Sequence, residues 1–165
     1  MSSQPQFKTP FEVFKKLNII FYAVLGSMFL LLIIALLIQQ PERQLDAPSP
    51  NILTEYILVI LIIVSISGAY IVYILGTKKV TDKIPLETKV TKFFQYSIIK
   101  LALFETAGIL GLIGYLLTAV PLYLAIGFVV LMLMFLHKPS LRRLAVEFKL
   151  SQKERDHITE NKPFR

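Results

Sequence analysis

Apolar residues are concentrated in four long blocks along this chain, with short polar segments between them. The blocks cover residues 19–38, 56–76, 96–117 and 119–136, and only the third contains charged residues. A helix needs about 20 mostly apolar residues to cross the roughly 30 Å hydrocarbon core of a bilayer. The pattern therefore predicts an all-α, polytopic membrane protein with four transmembrane helices.

The blocks divide the chain into two parts. Residues 1–137 are predicted to form the transmembrane domain, and residues 138–165 a cytoplasmic C-terminal helix and tail. The predicted spans cover residues 18–38, 54–76, 96–117 and 119–136. Residues 39–51 contain three prolines, which exclude a regular helix and predict an extended linker.

Segments rich in lysine and arginine alternate with segments that are poor in them. The rich segments precede the first block, join the second block to the third, and follow the fourth; the other two connections are poor. Because basic residues in short loops stay on the cytoplasmic side, we expect both termini in the cytoplasm. The short loops and the absence of cysteine are typical of a bacterial inner-membrane protein.

The net charge of +7 does not define a basic surface, because the lysines and arginines lie at the ends of the predicted helices. We therefore expect the lipid bilayer, and no nucleic acid, as a partner. Cysteine is absent, and His137 and His157 both fall outside the spans, so no metal site, haem or other cofactor is predicted. No enzyme motif or small-molecule substrate can be identified, and we predict no enzymatic activity.

The segment after the fourth block has a helical pattern of its own. Leu141, Leu144 and Phe148 recur at near-helical spacing among charged residues, which predicts an amphipathic helix. This helix either rests on the lipid headgroups or docks onto a cytoplasmic partner. Ser151 and Glu154 have the spacing of a capping box. Four basic residues are expected at the membrane surface, namely Lys100, Lys138, Arg142 and Arg143.

Glu105 is the unusual residue of the third block. It lies about 13–14 Å into the predicted span, near the middle of the membrane. A charged carboxyl there costs roughly 2.5 kcal/mol or more, so Glu105 should face protein or water, or be protonated. Lys100 does not pair with it, because five positions along a helix rotate the side chain by about 140°. Lys100 is instead expected to reach back to the headgroups.

Small residues follow Glu105 along the third block and predict close contact with another helix. This helix-packing surface consists of Ala107, Gly108, Gly111 and Gly114. Within the chain, polar or small residues on either of two helices could meet Glu105. The candidates are Ser65, Ser67, Gly68 and Tyr70 on the second helix, or Gly26 and Ser27 on the first.

The stretch from Ala102 to Tyr115, ALFETAGILGLIGY, resembles the outer helix of the proteolipid (c) subunit of rotary ATPases. The resemblance implies that Glu105 corresponds to the ion-carrying carboxyl of that family. The second helix is bulky over residues 56–64, where the family has a glycine-rich helix, so the resemblance implies a shared way of burying an acid and not a shared function. As a whole, the chain resembles uncharacterised four-helix membrane proteins of bacteria, which implies no activity.

Two functions follow as hypotheses. In the first, the chain is an accessory or scaffold subunit that packs against another membrane protein through its third helix. In the second, the chain forms a homo-oligomeric ion or proton carrier, or a channel, in which Glu105 titrates. Four short spans enclose little pathway, so a carrier would have to assemble with itself.

Overall fold

The computed structural model of the chain describes residues 9–38, 52–78, 80–81 and 84–164. These residues form six helices and, within the same ranges, no strand, which confirms the all-α prediction for them. The helices are α1 (Pro10–Ile38), α2 (Ile52–Lys78), α3 (Leu86–Thr118), α4 (Pro121–Leu136), α5 (Leu141–Glu147) and α6 (Gln152–Thr159). The linker predicted over residues 39–51 lies outside the described residues.

Three of the helices, α1, α2 and α3, are long and apolar enough to cross a membrane. The fourth, α4, has 16 residues and bends by 81° into α5, so the number becomes four if this pair is one span. Large apolar side chains cover the outside of the bundle; Leu37 and Leu136, for example, are 70% and 66% exposed. A surface of this kind suits lipid and would be an aggregation hazard in water.

Helix α3 is the centre of the bundle, because α1, α2 and α4 all pack against it. Half of its most apolar window is buried by the chain, compared with 17% for α1 and 22% for α2. The main apolar core forms around this helix and includes Phe21, Met28, Phe104 and Val130. The other spans therefore hold together through α3.

The predicted small-residue surface lets α4 approach α3 closely. A Cβ added at Gly111 would lie 3.2 Å from the carbonyl oxygen of Tyr123 and 3.3 Å from the backbone nitrogen of Gly127. At Gly114 an added Cβ would enter the ring of Tyr123, and at Gly108 it would meet the end of Met28 on α1. The surface that sequence patterning singled out is thus filled by α4 and α1 of the same chain.

The turn between α3 and α4 is tight. Ala119 caps α3 in the left-handed conformation, with φ of 56°, and its N–H donates to the carbonyl of Tyr115 at 2.8 Å. Pro121 then opens α4, where its missing N–H costs nothing. The chain reverses within a few residues, which makes α3 and α4 antiparallel neighbours.

A second apolar core lies beyond the spans, at one end of the bundle. At about 1.5 Å per residue, α1 is about 43 Å long and α3 about 50 Å, so both exceed the hydrocarbon core. Their projecting turns bury side chains together with α5 and α6. This "cap core" includes Val13, Leu17, Val90, Phe93, Leu144, Phe148 and Ile158. We call this end of the bundle the cap end.

The C-terminal segment packs on its own chain through one of its faces. It consists of two short helices, and Leu144 and Phe148, the apolar residues of the predicted amphipathic helix, are buried in the cap core. The predicted capping box is confirmed: Ser151 and Glu154 bond reciprocally at the start of α6. The N–H of Phe11 donates to Asn161 Oδ1 at 3.3 Å, so both described chain ends meet at the cap end.

An ion pair fixes α6 to α3. Lys89 Nζ donates to Glu154 Oε1 at 2.8 Å, and Lys89 is 1% exposed. Burial raises the pKa of the Glu154 carboxyl, but the hydrogen bonds from Lys89 and Ser151 outweigh it and hold that pKa below its usual value. The ionised carboxylate is therefore part of the folded cap.

Replacing Gly111 by leucine should separate α3 from α4. The added side chain meets backbone atoms that cannot rotate away, and overpacking of this kind costs about 1–3 kcal/mol. The measurement is the unfolding midpoint in mild detergent titrated with a denaturing detergent. Gly26→Leu is the matched control, because no atom lies within 4 Å of its added Cβ and the midpoint should stay near wild type. Equal midpoints for the two variants would contradict the packing described.

Acidification should release the cap through Glu154. Its pKa is lowered by folding, so its stabilising contribution is present above the unfolded pKa of about 4.3 and is lost as the pH falls through the folded value. Glu154→Gln should lose the same contribution at neutral pH, about 1–3 kcal/mol, because Lys89 stays buried without its anion.

Hydrogen-exchange protection of α5 and α6, measured between about pH 7 and pH 3, checks this expectation. Protection should fall with pH in the wild type and be low throughout in Glu154→Gln. Glu160→Gln is the control, since Glu160 is exposed and pairs only with the exposed Lys162 among the described residues. Hydrogen-exchange protection equal to wild type in Glu154→Gln would show that the Lys89–Glu154 ion pair does not stabilise the cap.

Candidate functional site

Glu105 forms a hydrogen bond with α1. Ser27 Oγ donates to Glu105 Oε1 at 3.2 Å and also lies 2.8 Å from the carbonyl oxygen of Val24. A hydroxyl has one hydrogen, so a charged Glu105 shares it with the carbonyl. A protonated Glu105 can instead donate to Ser27 while Ser27 donates to Val24. This pair can therefore hold Glu105 in either protonation state.

The surroundings of Glu105 differ from the rest of the bundle exterior. Glu105 itself is half-buried, and small or short polar side chains are exposed beside it on both helices. We call this surface the Glu105 face; it consists of Ala23, Gly26, Ser27, Ala102, Glu105 and Thr106. A Cβ added at Gly26 would meet nothing within 4 Å. The face is thus open to a neighbouring helix, unlike the glycines that α4 covers.

Of the candidate contacts for Glu105, Ser27 on α1 forms a hydrogen bond with it. Tyr70 is turned toward Phe104, with ring centroids 5.6 Å apart, and toward His137. On the same helix, Ser65 is buried and Ser67 is exposed. The hydrogen bond that the structure gives Glu105 comes from Ser27.

Lys100 occupies a second polar position on α3, at the level where α4 ends. It is 8% exposed, and its Nζ stands 4.3 Å from the ring centroid of Tyr73, 5.2 Å from that of Tyr70 and 5.9 Å from that of Phe104. The faces of these rings attract a cation. Lys100 is therefore enclosed by aromatic side chains, a contact that the prediction of a lysine reaching back to the headgroups did not include.

His137 and Tyr70 form a defined pair beside Lys100. His137 Nδ1 lies 2.8 Å from the carbonyl oxygen of Leu133, which can only accept, so Nδ1 carries a hydrogen. In the neutral ring Nε2 then accepts, and Tyr70 Oη lies 3.5 Å from it. In this form the histidine has no hydrogen left to donate to a third group.

Glu147 and Arg143 hold α5 beside Lys100 and His137. Tyr73 on α2 donates a hydrogen bond to Glu147 Oε2, and an Arg143 guanidinium nitrogen donates to the carbonyl of Leu136 at 2.7 Å. These bonds hold α5 across the ends of α2 and α4. They also place one carboxylate and one guanidinium close to Lys100.

A small cavity lies among these groups. Its volume is about 20 Å³, and it is lined by Lys100, Arg143, Tyr73, Ser97 and His137 together with apolar side chains. This is enough for an ordered water molecule or an oxygen of an entering group. With His137 neutral, Lys100, Arg143 and Glu147 give the surroundings one net positive charge. We refer to this cavity and the groups around it as the Lys100 site.

The other basic residues expected at the membrane surface lie at the cap end. Lys138 is exposed, donates to Tyr22 Oη at 2.6 Å and stands 4.9 Å from the centroid of that ring. Arg142 is exposed and Arg143 is half-buried against the Lys100 site.

Sequence reasoning missed the Lys100 site, although a weak signal was present. Tyr70 and Tyr73 lie three positions apart on one face of α2, and Lys100 and Phe104 lie four positions apart on α3. Matching depth on adjacent helices could have paired them. The contribution of α5 could not be read this way, because it depends on the 81° bend after α4.

Within the described ranges, no three histidine, cysteine, aspartate or glutamate side chains come together as a metal site. Comparison of the chain with protein-family models, curated protein sequences and solved structures gave no match. The functional argument therefore depends on the geometry of the chain itself.

Proposed function

We propose that this chain is a non-enzymatic accessory or scaffold subunit of a bacterial inner membrane, which binds another membrane protein through the Glu105 face. It crosses the bilayer four times, with α4 and α5 as a bent last span, and both termini lie in the cytoplasm. The distribution of lysine and arginine supports this orientation, as does the meeting of both described chain ends at the cap end.

The open, polar character of the Glu105 face carries the proposal. Glu105 lies about 20 Å from Thr118 along α3, inside a hydrocarbon core of about 30 Å. Exposing a carboxyl there is costly, and Ser27 supplies one bond that it shares with a carbonyl oxygen. A partner helix with a donor at this depth would remove the group from lipid.

The shape of the face supports the same conclusion. Close approach of membrane helices requires small residues, since there is no hydrophobic driving force between helices in lipid. The glycines of α3 at 108, 111 and 114 are already used by the chain itself. Gly26 and the other small residues of the Glu105 face are left open by the chain, so a partner helix can approach there.

Gly26→Leu should abolish partner binding and leave the fold intact. The new side chain has open space within the chain but fills the surface needed by a partner helix. Glu105→Gln should weaken binding about tenfold, because an amide cannot replace the carboxyl in both of its hydrogen-bonding states. Ala125→Leu is the matched control, as it adds similar volume to an exposed position on α4.

The measurement is a pull-down of the tagged chain from its own membranes in gentle detergent, followed by native mass spectrometry. A stoichiometric membrane partner should be present with the wild type and Ala125→Leu and absent with Gly26→Leu. A monomeric wild type, or a partner that survives Gly26→Leu, would contradict the proposal.

A second candidate function is a homo-oligomeric ion or proton carrier or channel. It is favoured by one observation, the ability of the Ser27–Glu105 pair to hold either protonation state. A homo-oligomer in the native mass spectrum, with flux in liposomes that Glu105→Gln removes while the assembly persists, would establish it in place of the subunit role. Flux unaffected by the substitution would exclude it.

A further inference from the structure

We propose that the Lys100 site binds a monoanionic phosphate group, supplied by the headgroup of an anionic phospholipid. This inference is independent of the Glu105 face, which lies on the other side of α3 and about 7–8 Å away along the helix axis.

The first argument is the enclosure of Lys100 without a direct ion pair. More than nine-tenths of the residue is buried, and among the described residues no carboxylate lies within 4.0 Å of its Nζ. The rings of Tyr73, Tyr70 and Phe104 attract the cation but do not provide oxygen acceptors for its three N–H groups. The cavity beside Lys100 leaves room for an acceptor oxygen from outside the described chain.

The second argument is the presence of further donors at the cavity. Arg143 lines it and commits one guanidinium nitrogen to the Leu136 carbonyl, so other N–H groups of its fork remain for an oxyanion. Tyr73 donates a hydrogen bond to the Glu147 carboxylate, which does not belong to the cavity lining. The net charge of +1 suits a phosphodiester better than a dianion.

The third argument is depth. Lys100 lies about 27 Å from Thr118 along α3, so with the α3–α4 turn at one membrane surface Lys100 is close to the other surface. Phospholipid phosphates are present at this level in every bilayer. A lysine and an arginine in a pocket between membrane helices form the type of basic site that binds lipid headgroups.

The test titrates the purified full chain in neutral detergent with phosphatidylglycerol and follows complexes by native mass spectrometry. Diacylglycerol, which lacks the phosphate, is the matched lipid. One phosphatidylglycerol should bind at least tenfold more tightly than diacylglycerol, and Lys100→Met should remove this preference. Lys138→Met is the control, because it deletes an exposed lysine at the same end.

Two further arms complete the design. Inorganic phosphate added as a competitor identifies the source of the group: displacement of the lipid means that free phosphate uses the site, and persistence of the lipid means that the headgroup does. If Lys100→Met fails to fold, Lys100→Arg should retain the preference and Arg143→Gln should reduce it severalfold.

Equal binding of the two lipids by the wild type would overturn the proposal. So would equal losses in Lys100→Met and Lys138→Met, which would indicate general attraction to anionic lipid. Binding unchanged in a folded Lys100→Met would also overturn it, because the lipid would then bind at a site that does not use Lys100.

Discussion

The packing of three helices against α3 is the constraint on which the rest of the structure depends. In lipid, apolar burial gives no advantage to helix contact, so helices associate where their backbones can approach closely. Gly111 meets the α4 backbone directly, and Gly108 receives Met28 of α1. Because α1, α2 and α4 depend on this one helix, a side chain added at its centre affects several contacts at once.

The length of α3 has a second consequence. Helix α3 is about 20 Å longer than the hydrocarbon core is thick, and α1 is about 13 Å longer. Each helix therefore has an apolar end outside the membrane. Phe93 and Leu17 on these ends would be exposed to water if nothing covered them. Helices α5 and α6 cover them, and the 81° bend after α4 directs α5 across the bundle. The cap is thus needed because α1 and α3 are longer than the membrane is thick.

Sequence patterning predicted the apolar helices and the capping box, because each depends on residues close together in the chain. It failed where burial depends on distant residues. Nothing close to Lys89 in the chain indicates that α6 buries it through Glu154, and Lys100 is expected to reach the headgroups, although rings from α2 enclose it. For Glu105 the pattern left two neighbouring helices open, and the Ser27 bond decides between them. A single sequence does not indicate which distant segment of the chain packs against a given residue.

The two charged residues in the membrane part of α3 show how one helix separates its functions. Lys100 and Glu105 point about 140° apart, so they cannot neutralise each other, and each needs its own environment. Lys100 lies where the cap and the aromatic face of α2 enclose it, and Glu105 lies at an open seam with α1. Among the described residues, neither side chain has a direct ion pair. An ionisable group inside a membrane needs a polar or charged neighbour, and this requirement is the physical ground of the two proposed contacts, one at the Glu105 face and one at the Lys100 site.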